Sequence, residues 1–151
     1  MRARAFLYAI VCFAALLSAA SAEAFQLITP EEAALPSATM ATLALRGSPT
    51  RRPGIVVISP PVDAGLMHSP LDLKLEFRAF GGSKIDPNTV VLTYLKEPLI
   101  DITQRIAQFI TADGISITKV QVPPGKHQFW IELKDNNGRL GGTEFGFQIA
   151  K

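Results

Sequence analysis

The chain is short of the residues that carry chemistry. Among 151 residues there is one cysteine, Cys12, and there are two histidines, His68 and His127. No disulfide can form within the chain, so an exported domain of this sequence depends on its apolar core alone. Two histidines far apart in sequence do not make a metal cluster, which needs several ligands converging. No nucleophile motif is present. Gly81-Gly82-Ser83-Lys84 lacks both the flanking glycine pattern and the following helix of a nucleophile elbow or a phosphate loop. Carboxylates are scattered singly, and Glu97 and Asp101 do not argue for a paired acid and base. The expectation is a non-enzyme without a cofactor.

The start of the chain reads as a secretory signal peptide over residues 1–24. Arg2 and Arg4 precede an apolar run, Phe6 to Leu17, that is too short to span a bilayer comfortably. Ala20-Ser21-Ala22 and Ala22-Glu23-Ala24 then offer small-residue cleavage sites after Ala22 or Ala24. Cys12 leaves with this segment. So do two of the fifteen basic residues, which stand against thirteen acidic ones in the whole chain. The mature protein is then close to neutral, which removes the argument for a nucleic-acid partner. No second long apolar run follows, so no transmembrane segment is expected after signal removal, and the expected location is periplasmic or secreted.

Residues 25–52 read as an extension and linker. Thr29-Pro30-Glu31-Glu32 has the form of a helix start, and Pro36 ends that helix after about two turns. Met40 to Leu45 reads as a short strand or more linker, and Arg46 to Gly54 as irregular chain.

Residues 53–151 read as strands. Ile55 to Ile58 is a β-branched run. Val62 to Pro70 reads as a loop. Leu71 to Phe80 alternates cleanly, with Leu71, Leu73, Leu75 and Phe77 on one face and Asp72, Lys74, Glu76 and Arg78 on the other. Ile85-Asp86-Pro87-Asn88 reads as a turn and Thr89 to Lys96 as the next strand. Ile102, Ile106, Phe109 and Ile110 recur at helical spacing, which predicts a short helical crossover after Asp101. Ile115 to Val122 alternates as an edge strand.

The last stretch has the strongest pattern. His127, Phe129, Ile131 and Leu133 share one parity, and so do Phe145, Phe147 and Ile149. Between them lies Asp135-Asn136-Asn137-Gly138, the chemistry of a hairpin turn. Asp135 alone carries charge there, too little for a calcium loop. Six or seven short strands at this spacing predict an all-β sandwich of two sheets.

At GKHQFWIELKDNNGR, residues 125–139, the chain resembles secreted bacterial immunoglobulin-like and fibronectin-type-III-like domains. In those, a Gly opens the penultimate strand, an aromatic follows two residues on, and alternating apolars lead to Asp and a Gly-containing turn. Ile58-Ser59-Pro60 is similar to the start of such domains. Three features depart from the pattern: His127 stands where Tyr is usual, the helical stretch after Asp101 is long, and the inter-sheet cysteine pair is absent. The resemblance implies an Ig-like antiparallel sandwich of about seven strands, and export. It implies no catalytic residue, and fold alone does not give function.

Two site readings follow. If Phe129 and Ile131 face the core, Trp130 faces out beside Val91, Thr93 and Leu95 of the neighbouring strand. That patch suits a non-catalytic binding or accessory module whose partner is another envelope protein. The competing expectation is that Phe25, Leu27, Ile28, Leu43 and Leu45 fold back and cover it. The alternative function is a small periplasmic copper carrier using Met67, His68 and His127. Against it, known carriers of this general fold need a histidine near the mature N-terminus, where this chain has Glu23 or Phe25. For His127 the structural reading is a corner residue whose ring bonds backbone, as a corner Tyr does.

Overall fold

The computed structural model describes residues 25–38, 52–61 and 63–151. The expected signal peptide with its expected cleavage sites, Met40 to Leu45 and most of the expected linker lie outside the described residues.

Among the described residues, eight strands form two sheets. Three of them, β1 (Gly54–Ser59), β3 (Leu71–Arg78) and β6 (Gly114–Val120), make one sheet in the order β1-β3-β6. The other five are β2 (Leu66–Met67), β4 (Ile85–Tyr94), β5 (Ile100–Asp101), β7 (Gly125–Asp135) and β8 (Leu140–Ile149), in the order β2-β8-β7-β4-β5. All neighbours are antiparallel except β2, which runs parallel to β8. The molecule is an all-β sandwich. Its core comes from the predicted alternation: Leu73, Leu75 and Phe77 from β3, Val90, Leu92 and Tyr94 from β4, Phe129, Ile131 and Leu133 from β7, and Phe145, Phe147 and Ile149 from β8. Each side chain so buried contributes about 1.5–3 kcal/mol. Phe129 sits at the centre, stacked on Tyr94 at 5.1 Å and on Phe145 at 5.3 Å between ring centroids.

The β7–β8 turn is built on one carboxylate. Asp135 Oδ1 accepts from the backbone N–H of Asn137 at 3.0 Å and of Arg139 at 2.9 Å, while Oδ2 takes the Arg139 guanidinium. Gly138 supplies the positive φ of 73° that closes the turn. The crossover after Asp101 is one turn of helix (Thr103–Ile106), followed by a 3₁₀ turn over Ala107–Phe109. Ile102 and Ile106 of this stretch are buried.

Three parts differ from the sequence reading. The Ile85–Asn88 turn lies inside β4 rather than before it. Asp86 Oδ1 accepts from the Asn88 N–H at 3.0 Å, and the pairing with β7 shifts register between Asp86 and Val91. The turn chemistry is real, but it makes a bulge. The Val62–Pro70 loop contains β2. And residues 25–38 are part of the body. Thr29 caps α1 (Pro30–Ala34) in a full capping box with Glu32, and Leu27 and Ile28 join the core. Arg105 holds Glu32 with both guanidinium nitrogens and the Leu27 carbonyl at 2.9 Å. Lys96, itself buried, donates from Nζ to the carbonyls of Ala33 and Leu35, both at 2.9 Å. A cation there complements the carbonyl end of the helix.

The free edge of β6 is short. Gln26 bridges Gln121 just beyond its end, and Ile110 bridges Ile115 near its start. In between, Lys119 adopts a φ of 53°, and its N–H goes to Asp72 Oδ1 at 3.0 Å instead of along the ladder.

Arg105→Ala leaves the half-buried Glu32 carboxylate and the Leu27 carbonyl without their donor. The expected cost is about 1.5–3 kcal/mol in urea unfolding. Limited proteolysis should then cut first within residues 25–38. Unchanged stability would show that this clasp does not hold the segment.

Candidate functional site

The outer face of the five-stranded sheet follows from the register of three strands. Trp130 pairs with Thr93 of β4 on one side and with Glu144 of β8 on the other. Two residues on, Glu132 lies between Val91 and Gly142. Side chains alternate across a strand, so burial of Phe129 and Ile131 puts Trp130 on the opposite face. Trp130, Val91 and Thr93 are half-buried there. Leu95 is not part of an exposed patch: it is 1% exposed, with its N–H on the Gln128 carbonyl at 2.9 Å and its own carbonyl on the Ala38 N–H at 3.1 Å. The chain leaves regular strand after Tyr94, and the Ala38 segment is fastened alongside. Phe25, Leu27 and Ile28 do not cover the Trp130 face, because they pack with the core. Leu43 and Leu45 lie outside the described residues.

The indole has a fixed seat. A Cβ placed on Gly142 would lie 2.7 Å from Cζ2 and 3.3 Å from Cε2 of Trp130, so the ring occupies the space where a side chain would stand. Glycine in a strand commonly marks such a close approach. The indole Nε1–H donates to Glu132 Oε2 at 3.1 Å, which fixes the ring and satisfies its donor. One strand position along, the arrangement repeats: Gln128 pairs with Gly146, and its Cγ lies 3.2 Å from where a Cβ of Gly146 would stand. The Gln128 amide then reaches Glu144 Oε1 at 3.3 Å. A groove of about 380 Å³ opens beside this pair, lined by Ala64, Lys126, Gln128, Glu144, Gly146 and Gln148 among others. Sequence reading turned Trp130 outward with Gln128, Glu132 and Lys134, but it did not find Gly146 or Glu144 and took Gly142 as part of the turn region. The signal was present in the glycines of β8, which a turn does not need so far along the strand. A larger groove of about 470 Å³ lies against β3 and β6, but its aromatic, Phe109, is packed against the core and Phe25.

The copper residues do not converge as ligands. His127 is buried, and both ring nitrogens are engaged: Nε2 with the Pro123 carbonyl at 2.8 Å and Nδ1 with the Tyr94 hydroxyl at 2.8 Å. A carbonyl only accepts, so Nε2 carries the proton and Nδ1 accepts from Tyr94. This is the corner role, extended by a phenol that the sequence did not reveal. Met67 packs against the core, while His68, the next residue, is exposed. Among the described residues no group of three or more His, Cys, Asp or Glu is placed to hold a metal. Tyr94 and His127 are 0% and 1% exposed, so no substrate reaches this pair as it stands.

Burial depresses the His127 pKa below 6.5, with the Lys96 charge acting in the same direction and the Pro123 hydrogen bond opposing. Burial, with Glu32 nearby, pushes the Tyr94 phenol up to about 12. The unfolded imidazole therefore takes a proton near pH 6.5 while the folded one still refuses it. Stability is complete above that pH and falls as pH drops from there toward the folded value. Thermal melts from about pH 7.5 to about pH 5 should show this slope, and His127→Gln should flatten it. The Glu32 carboxylate, held low by Arg105, adds its own loss only below about pH 4.5. An identical slope in His127→Gln would remove His127 as its origin. A separate expectation concerns the indole: Gly142→Ala forces Trp130 off its seat. Because Trp130 is the single tryptophan of the chain, its emission should move to longer wavelength. An unchanged spectrum would contradict the seat.

No protein-family model matches the chain, and no curated protein matches it. Among the described residues no helix is long and apolar enough to cross a membrane. A crystal structure of an engineered protein is similar to this chain with a TM-score of 0.43 and 11% identity, over 66% of this chain and 20% of its own, so the chain spans a fifth of that protein's length.

Proposed function

We propose that this chain is an exported, non-catalytic binding or accessory module of Ig-like type that engages a component of the cell envelope through the face around Trp130. The leader pattern supports export to a periplasm or beyond. The strand order supports the Ig-like assignment: three strands face a sheet of four longer or shorter partners, and a two-residue strand joins parallel to the last strand. The observation that carries the binding reading is the seat of Trp130. A large aromatic partly exposed on a central strand, with its ring already fixed by Gly142 and Glu132, is pre-organised for contact. The copper alternative would require His127 to give up both hydrogen bonds and move to the surface.

Co-sedimentation of the mature protein with isolated envelope fragments tests this reading. Retention is expected for the parent chain and should drop about tenfold or more for Trp130→Ala, the size of an aromatic hot spot. Equal retention of both proteins would remove the Trp130 face from the function.

A further inference from the structure

The chemistry around Trp130 narrows the class of ligand, on the footing that the face is a binding face. An interface with another protein is built around an apolar centre from which charged groups are depleted. Here the indole lies among Glu132, Glu144 and Gln128, with Lys126 further along the same strand. The apolar neighbours contribute little: Val91 is half-buried and Leu95 is fully buried. What the face does present is one flat aromatic surface and a row of side chains able to donate and accept in the plane beside it. Gln128 does both, Glu144 accepts, Lys126 donates, and Gln148 does both. The groove these groups line, about 380 Å³, lies in the range of small-ligand sites.

We infer that the seated Trp130 ring and the Gln128–Glu144 groove form a carbohydrate-binding site. A pyranose offers the complement of both parts. Its axial C–H bonds present a weakly positive apolar face to the negative π-face of an indole. Its equatorial hydroxyls radiate at the rim, each both donor and acceptor, where amide, carboxylate and ammonium groups meet them. The Trp130 Nε1–H is already bonded to Glu132, so the ring acts as a platform rather than as a donor. Gly142 and Gly146 make this possible. Gly142 leaves the space that the indole occupies, and Gly146, where an added Cβ would meet the His127 carbonyl oxygen at 2.6 Å and Gln128 Cγ at 3.2 Å, sets no side chain against Gln128. A chain of sugars then runs along the β7–β8 rows, from Trp130 toward Lys126 and Gln148.

The single tryptophan makes the test direct. The folded mature chain is titrated with chitohexaose, cellohexaose and maltohexaose while Trp130 emission is followed, and binding by the variants is read by calorimetry. At least one oligosaccharide should produce a saturable shift to shorter wavelength as water leaves the ring. Gln128→Ala and Glu144→Ala should each weaken that binding about tenfold, the loss of one charge-assisted or amide hydrogen bond. Both act on side chains at the surface, so they report on binding with the seat of Trp130 left intact. No shift with any of the three sugars, or a shift indifferent to both variants, overturns the assignment. If envelope fragments retain the protein through Trp130 while all three sugars are silent, the ligand is of another class and the binding reading survives. Loss of both retention and sugar response removes both.

Discussion

Strand β7 is the constraint that the rest of the molecule answers to. It is paired on both sides, to β4 from Phe129 to Asp135 with one register shift, and to β8 along ten consecutive positions. A strand so placed has no freedom of register: a slip of one residue would send Phe129, Ile131 and Leu133 into water and bring Trp130, Glu132 and Lys134 into the core. The aromatic group of Tyr94, Phe129, Phe145 and Phe147 forms across these three strands and nowhere else. With no disulfide available, this packing and the covering three-stranded sheet supply the cohesion. The same pairing that fixes the inner row fixes the outer one, which is why a surface tryptophan can have a defined pose.

The second organising element is polar. Two cations, Lys96 and Arg105, reach from the five-stranded sheet and its crossover to the segment before β1. Lys96 finds the carbonyl end of α1 and also lies over the Tyr94 ring, 5.5 Å from its centroid. A buried ammonium is tolerated only with such partners. It ties α1, the corner at His127 and the aromatic core into one set of mutually dependent contacts. Among the described residues no buried side-chain nitrogen or oxygen lacks a hydrogen-bond partner.

Much of this was legible in sequence because period-two alternation carries face information directly. The rows through Leu73, Phe129 and Phe145 could be assigned to the core from parity alone, whereas β4 carries apolar residues on both faces and parity did not decide between them. The capping box at Thr29, the short helix after Asp101 and the Asp135–Gly138 turn were legible because each is local chemistry. What escaped depends on residues far apart in the chain. Arg105 and Glu32 are separated by 73 positions, and Lys96 and Ala33 by 63, so nothing in the composition of residues 25–38 announced that they belong to the body. β2 is two residues long, too short to show a period. Leu95 shows the limit of parity: alternation gave its side of the sheet but not that the Ala38 segment would be fastened beside it. At the candidate site, Trp130 stood out as the single tryptophan, whereas Gly142 became meaningful only when the ring was seen to lie on it.

The treatment of β6 has a consequence for contact between copies of the chain. An open ladder of backbone donors and acceptors is a template on which another copy can add. On β6 that template is closed at the start by the bridge from Ile110 to Ile115 and just past the end by the bridge from Gln26 to Gln121, and the chain turns left-handed at Lys119 between them. Too few consecutive groups remain in line for a second strand to gain a foothold. A sandwich whose chain can form no disulfide thus carries its own protection against polymerising through that edge.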